Sequence, residues 1–124
     1  FLFTGNDPKQ SATDPTFLVA KGQTLYASNC MSCHGDQNST LAFGQAPPHN
    51  AQGHTWHHAD AEITKWILNG KPYNMPAFKD RLTEADVAAI LAFIKTWWEP
   101  NQRRTQARIS VQYEEALKKY QNEE

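Results

Sequence analysis

Apolar residues recur along this chain at helical spacing, and no stretch alternates apolar and polar with the period of two that a half-buried strand shows. Asp14-Pro15 reads as the start of a first helix, with Asp14 as cap and Pro15 at the first helical position. Phe17, Leu18, Leu25 and Tyr26 lie near one face of it, and Gly22 interrupts them. A glycine there costs ~1 kcal/mol against alanine, so it points to close approach by another backbone. The residues from Cys30 to His34 end this helix, with Gly35 as its stop. Residues 35–53 hold Pro47-Pro48 and no helical period, so they read as loop. A short helix is predicted over residues 60–69, capped by Asp60, with Ile63, Trp66 and Ile67 on one face. After a second loop over 71–81, the strongest helical pattern runs over 83–98 through Val87, Ile90, Leu91, Ile94 and Trp98, and Pro100 stops it. Thr83-Glu84-Ala85-Asp86 opens this pattern like a capping box, with Asp where Glu or Gln is usual. Ile109, Tyr113, Ala116, Leu117 and Tyr120 repeat the spacing in the tail. The prediction is an all-α chain of three or more core helices with long loops and a C-terminal helical extension.

Size and charge narrow the function classes. The 124 residues suit one domain. A chain of this length buries roughly two-thirds of its unfolded surface. Its mean hydropathy of -0.69 is low for a compact globule. With 11% aromatic residues and four Trp it is not of disordered composition. A formal net charge of -1 argues against nucleic acid as partner. No run of apolar residues reaches the ~18 of a membrane span. The chain is thus polar for its size, which leaves room for an apolar group that is not an amino acid.

Cys30-Met31-Ser32-Cys33-His34 is a C-x-x-C-H run, which reads as a site of covalent haem c attachment. Thiols at i and i+3 share a helical face and can reach two vinyl groups of one porphyrin, while the adjacent His34 offers an imidazole to the iron. A thioredoxin-like pair would need a βαβ context that the pattern lacks. A zinc site would need ligands from other histidines, since these are the chain's two Cys. For the second axial position Met and His are the common choices. Met31 sits within the attachment turn, which leaves Met75 as the available thioether. Pro76 biases Met75 toward an extended loop conformation, which suits presentation of a ligand. His49, His54, His57 and His58 are further ligands in principle. Trp56 and His54 are candidates for contacts to a haem propionate, against a default of packing for Trp56.

These residues, together with Gly44-Gln45-Ala46-Pro47-Pro48, Gly53-His54-Thr55-Trp56-His57-His58 and Asn74-Met75-Pro76-Ala77-Phe78, occur in the order of the class I c-type cytochromes. The chain resembles the small bacterial mono-haem members over residues 15–98. The resemblance implies one covalent haem on Cys30 and Cys33, with His34 and Met75 as axial iron ligands. It implies that a proline carbonyl accepts the His34 N–H, with Pro47 as the match and Pro48 as the alternative. It also implies a close crossing of the first and last core helices, Gly22 and Tyr26 meeting Ile90, Phe93, Ile94 and Trp97. Leu25, Ile63, Ile67, Phe78, Leu91 and Ile94 are the expected packing around the group.

The function expected on this basis is single-electron carriage, with no bond made in any substrate and no catalytic residues. Expected partners are redox donors and acceptors, or a membrane electron-transport complex. The alternative is a haem enzyme or sensor with an open sixth position and a distal His54 or His57. Covalent haem in the family implies a periplasmic or otherwise extracytoplasmic place. Residues 1–14 read as a polar linker, and Phe1-Leu2-Phe3 as either the stump of a signal or anchor or a few frayed residues. Residues 99–124 read as a tail that packs back on the domain, docks a partner subunit, or is solvated. Near-zero net charge predicts docking through an apolar surface, with weak salt dependence.

Overall fold

Helix α1 (Pro15–Asn29) begins where its cap is, with the Asp14 carboxylate accepting the Thr16 N–H at 2.7 Å and Pro15 in the first turn. The structure, a computed structural model, describes residues 14–40, 46–71 and 75–122. The expected N-terminal linker up to residue 13, Gly44-Gln45 and Tyr73-Asn74 lie outside the described residues. Helix α1 stops at Asn29, one residue before the attachment run. Cys30 leaves helical geometry at φ -121°, and a separate single turn, α2 (Met31–His34), follows. The sequence pattern predicts one continuous helix here, so the break at Cys30 is a correction. Gly35 ends α2 at φ 77°, a conformation that glycine adopts without strain.

Helix α3 (Asp60–Asn69) and helix α4 (Glu84–Lys95) build the core with α1. The capping box of α4 is complete: the Thr83 hydroxyl accepts the Asp86 N–H, and the Asp86 carboxylate accepts the Thr83 N–H. Asp therefore serves at this position as Glu would. Tyr26 of α1, Val87, Ile90 and Ile94 of α4 are almost wholly shielded from water. Ile63 and Ile67 of α3, with Phe78, Leu82, Leu91 and Trp98, complete the same cluster. Burying each such side chain stabilises the fold by about 1.5–3 kcal/mol.

Helices α1 and α4 cross at Gly22. A methyl group there would overlap the Ala89 carbonyl and come within 2.9 Å of the Phe93 Cβ. Tyr26 packs edge-on to Trp97 at 5.3 Å and against Phe93 at 5.6 Å, as the resemblance implies. Its hydroxyl donates to the Gly35 carbonyl and so ties α1 to the end of α2.

Two boundaries differ from those predicted. Helix α4 ends at Lys95, with turns through Trp98, and Pro100 does not stop it. Pro100 opens the next helix, α5 (Pro100–Asn122), because its fixed φ and missing N–H suit a first turn. The N-cap of α3 is Ala59, and Asp60 is its first residue. The free Asp60 N–H donates instead to the Ser110 hydroxyl of α5 at 3.0 Å.

Helix α5 docks with its first half. Gln106, 1% exposed, donates to the His58 carbonyl at 3.0 Å and to an Asp60 carboxylate oxygen at 2.7 Å. Lys95 pairs with the other Asp60 oxygen at 2.8 Å. Arg103 donates to the Trp98 carbonyl at 2.6 Å and closes the end of α4. Beyond Tyr113 the helix leaves the domain, and Leu117 and Tyr120 are exposed. Among the described residues the β-structure is one isolated bridge, Lys71 to Met75.

Candidate metal centre

The attachment run occupies a tight corner. The N–H groups of Cys33 and His34 both donate to the Cys30 carbonyl, which places the two thiols one turn apart. Cys30 is buried in the core and Cys33 is exposed. Burial, and then the neighbouring Cys33, pushes the Cys30 thiol up to about 11, so it is protonated at neutral pH.

His34 is oriented by a residue thirteen positions away. Its Nδ1 lies 2.8 Å from the Pro47 carbonyl oxygen. A carbonyl only accepts, so Nδ1 donates to it, and Nε2 is the ring nitrogen left to face a metal. Of the two prolines that the sequence leaves open, Pro47 makes this contact. An imidazole with a directed Nε2, beside two thiols on one turn and an apolar core, is a donor set that fits a covalently held porphyrin and its iron.

The His34 ring also packs against that of His49, with centroids 4.1 Å apart. The Nδ1 of His49 lies 2.6 Å from the Thr55 hydroxyl oxygen. Burial first, and then His34, holds His49 down to about 3, so it stays neutral. The sequence offers His49 as one of four interchangeable histidines, and nothing in its flanking residues singles it out.

Met75 sits on a loop stitched to the end of α3. It exchanges two backbone hydrogen bonds with Lys71, at 3.0 and 3.2 Å. Gly70 turns the chain at φ 79°, and a Cβ there would come within 2.7 Å of the Met75 carbonyl. The Phe78 and Lys79 N–H groups donate to the Ile67 and Leu68 carbonyls. The Met75 side chain is partly buried and packs against the core cluster.

Trp56 lies on a short 3-10 turn, Thr55–His57, and packs against the core. Its indole N–H donates to the Gly53 carbonyl at 3.1 Å, so here it serves its own loop. His54 is exposed, with its Nδ1 3.3 Å from that of His57. His58 contacts Glu62 at 3.0 Å. Among the described residues no three His, Cys, Asp or Glu side chains gather to hold an ion by themselves, which leaves the zinc alternative without a ligand set there.

Comparison with known proteins bears on this arrangement. Residues 18–94 match the family model described as cytochrome c oxidase, cbb3-type, subunit III. The chain is 33% identical over 81 residues to the cbb3-type cytochrome c oxidase subunit CcoP of Azospirillum sp. (strain B510), covering 61% of this chain and 27% of that protein. It is 32% identical over 78 residues to cytochrome c6 of Cladophora glomerata, covering 62% of this chain and 86% of that protein. It is 39% identical over 85 residues to the cytochrome bc1 complex cytochrome c subunit of Corynebacterium diphtheriae, covering 63% and 27%. The match thus spans about a quarter of the length of the oxidase subunit. No solved structure matches.

Proposed function

The chain belongs to the cytochrome c oxidase, cbb3-type, subunit III family of class I c-type cytochromes, and from that premise we propose that it carries single electrons through one covalently attached haem. Bound there, the haem supplies a one-electron couple between ferric and ferrous iron. Cys30 and Cys33 would hold it through thioethers. His34, through Nε2, and Met75, through its sulfur, would be the residues that ligate its iron. Pro47 fixes the imidazole plane and raises its basicity by accepting the Nδ1–H hydrogen bond. Ile63, Ile67, Phe78, Leu91 and Ile94 exclude water, which disfavours the more charged ferric form.

The observation that carries this reading is the hydrogen bond from His34 Nδ1 to the Pro47 carbonyl, at the end of a C-x-x-C-H turn. It leaves one imidazole nitrogen free and directed, which a histidine serving only as packing does not need. No residue is assigned to bond-making chemistry in a substrate. The chain exchanges electrons with redox proteins, free or as a subunit of a membrane complex, outside the cytoplasm. Among the described residues no helix is long and apolar enough to cross a membrane.

The ligand assignment is tested by the ferric absorption spectrum. The wild-type protein should show the near-infrared band of a methionine-ligated haem, and Met75→Ala should abolish it. A wild-type ferric protein without that band, high-spin and quick to bind cyanide, would overturn the assignment.

A further inference from the structure

We propose that Trp98 and Gln102 are positioning residues that hold His34 in its ligand orientation through the segment 47–51. The inference rests on the reading of His34 as an iron ligand. It extends that reading to residues beyond the 18–94 stretch that matches the family model.

Residues 46–49 have neither helix nor strand, so side chains elsewhere must hold this backbone. Two anchors come from the junction of α4 and α5. The Trp98 indole N–H donates to the His49 carbonyl at 2.8 Å, and the Gln102 amide donates to the Ala51 carbonyl at 2.9 Å. A third comes from Asn50, which is buried and donates to the Gln37 and Ser39 carbonyls at 3.0 and 2.6 Å. The segment is thus tied on one side to the chain that follows His34 and on the other to α5. It meets His34 through the Pro47 carbonyl and the His49 ring. The His49 side chain is itself steadied by Thr55.

The anchors are rigid. Trp98 is 3% exposed, and its ring belongs to the core cluster. Gln102 spends its other amide atom on the Glu99 N–H at 2.9 Å, which fixes the direction of its NH2 group. Shifting either anchor moves the Pro47 carbonyl relative to the imidazole, and that bond weakens steeply with distance and angle. A weaker bond makes the imidazole a poorer donor to ferric iron. The last helix therefore reaches the iron ligand without touching it.

The test compares haem-loaded Trp98→Phe and Gln102→Glu with wild type. Phenylalanine keeps a ring and loses the indole donor. Glutamate keeps the acceptor for the Glu99 N–H and loses the donor to Ala51. Ser110→Ala serves as control, because it breaks a different α5 contact, the one to Asp60. The readout is solvent exchange of the His34 Nδ1 proton, followed by NMR in the ferrous protein. Both test variants should exchange about fivefold faster, the factor for one lost hydrogen bond of about 1 kcal/mol. Ser110→Ala should match wild type, and the midpoint potential of Trp98→Phe should rise. Wild-type exchange in both test variants, or an equal change in Ser110→Ala, would overturn the proposal while leaving the haem reading intact. A wild-type protein purified without covalent haem would overturn both.

Discussion

The Nδ1 of His34 and the carbonyl oxygen of Pro47 stand 2.8 Å apart, though thirteen positions separate them in the chain. This contact settles the tautomer of the imidazole and the direction in which its other nitrogen faces. The remaining architecture keeps these two groups in register. Tyr26 secures the chain just after His34 by donating to the Gly35 carbonyl. Asn50, Trp98 and Gln102 secure the chain just after Pro47.

Replacing Met75 by alanine should lower the midpoint potential as well as remove the near-infrared band. A thioether favours ferrous iron, and axial ligands move potentials within a span of about 0.8 V. The expected fall is about 0.1 V or more, read by equilibrium redox titration. An unchanged potential would mean that Met75 only fills space.

Gly22→Ala should be costly although alanine is the better helix former. The new methyl overlaps the Ala89 carbonyl, so α1 and α4 must separate. Overpacking of this kind costs typically 1–3 kcal/mol, against ~1 kcal/mol gained in propensity. Chemical denaturation should show net destabilisation. A variant more stable than wild type would mean that the crossing is looser than described.

Much of this was legible in the residues. The C-x-x-C-H run, the Met75-Pro76 loop, the four longer helices and the Gly22 crossing each follow from a local rule. The docking of α5 was not. Its apolar stripe points to Ile109, Tyr113 and Leu117, yet among the described residues the buried positions are Gln106 and Ser110. Polar side chains that dock through specific hydrogen bonds leave no hydropathy signal, since their partners, His58 and Asp60, lie about fifty positions away. The same holds for His49, whose place against His34 depends on Trp98, and for the break at Cys30. Asp60 reads as a cap for α3 because nothing nearby announces that its N–H is met by Ser110.

Gln106→Leu should therefore destabilise the fold despite its added apolar surface. It leaves the part-buried His58 carbonyl without its donor, and Asp60 with one partner fewer. An unsatisfied buried group costs about 1–3 kcal/mol, so a loss of about 2 kcal/mol is expected by denaturant titration. A change within about 0.5 kcal/mol would show that α5 docks weakly.

The α4 cap should make part of the stability acid-sensitive. The Thr83 N–H first, and Lys21 as well, hold the Asp86 carboxyl below its ordinary value of 3.8. A depressed folded value means that this contribution is fully present above 3.8 and lost as pH falls through the folded value. Asp86→Asn should thus be less stable than wild type at neutral pH, with the gap closing in acid. Thr83→Ala, which removes the hydroxyl cap, should cost about 1 kcal/mol. A gap that is constant with pH would contradict the carboxylate's part in the box.

Covalent haem is the claim on which the rest depends, and intact mass reads it most directly. The chain is made in a host able to attach haem c and purified without reduction. The account predicts a single species at 14.1 kDa plus the mass of one haem, with neither Cys30 nor Cys33 open to alkylation. A species at the bare chain mass with two free thiols would contradict it.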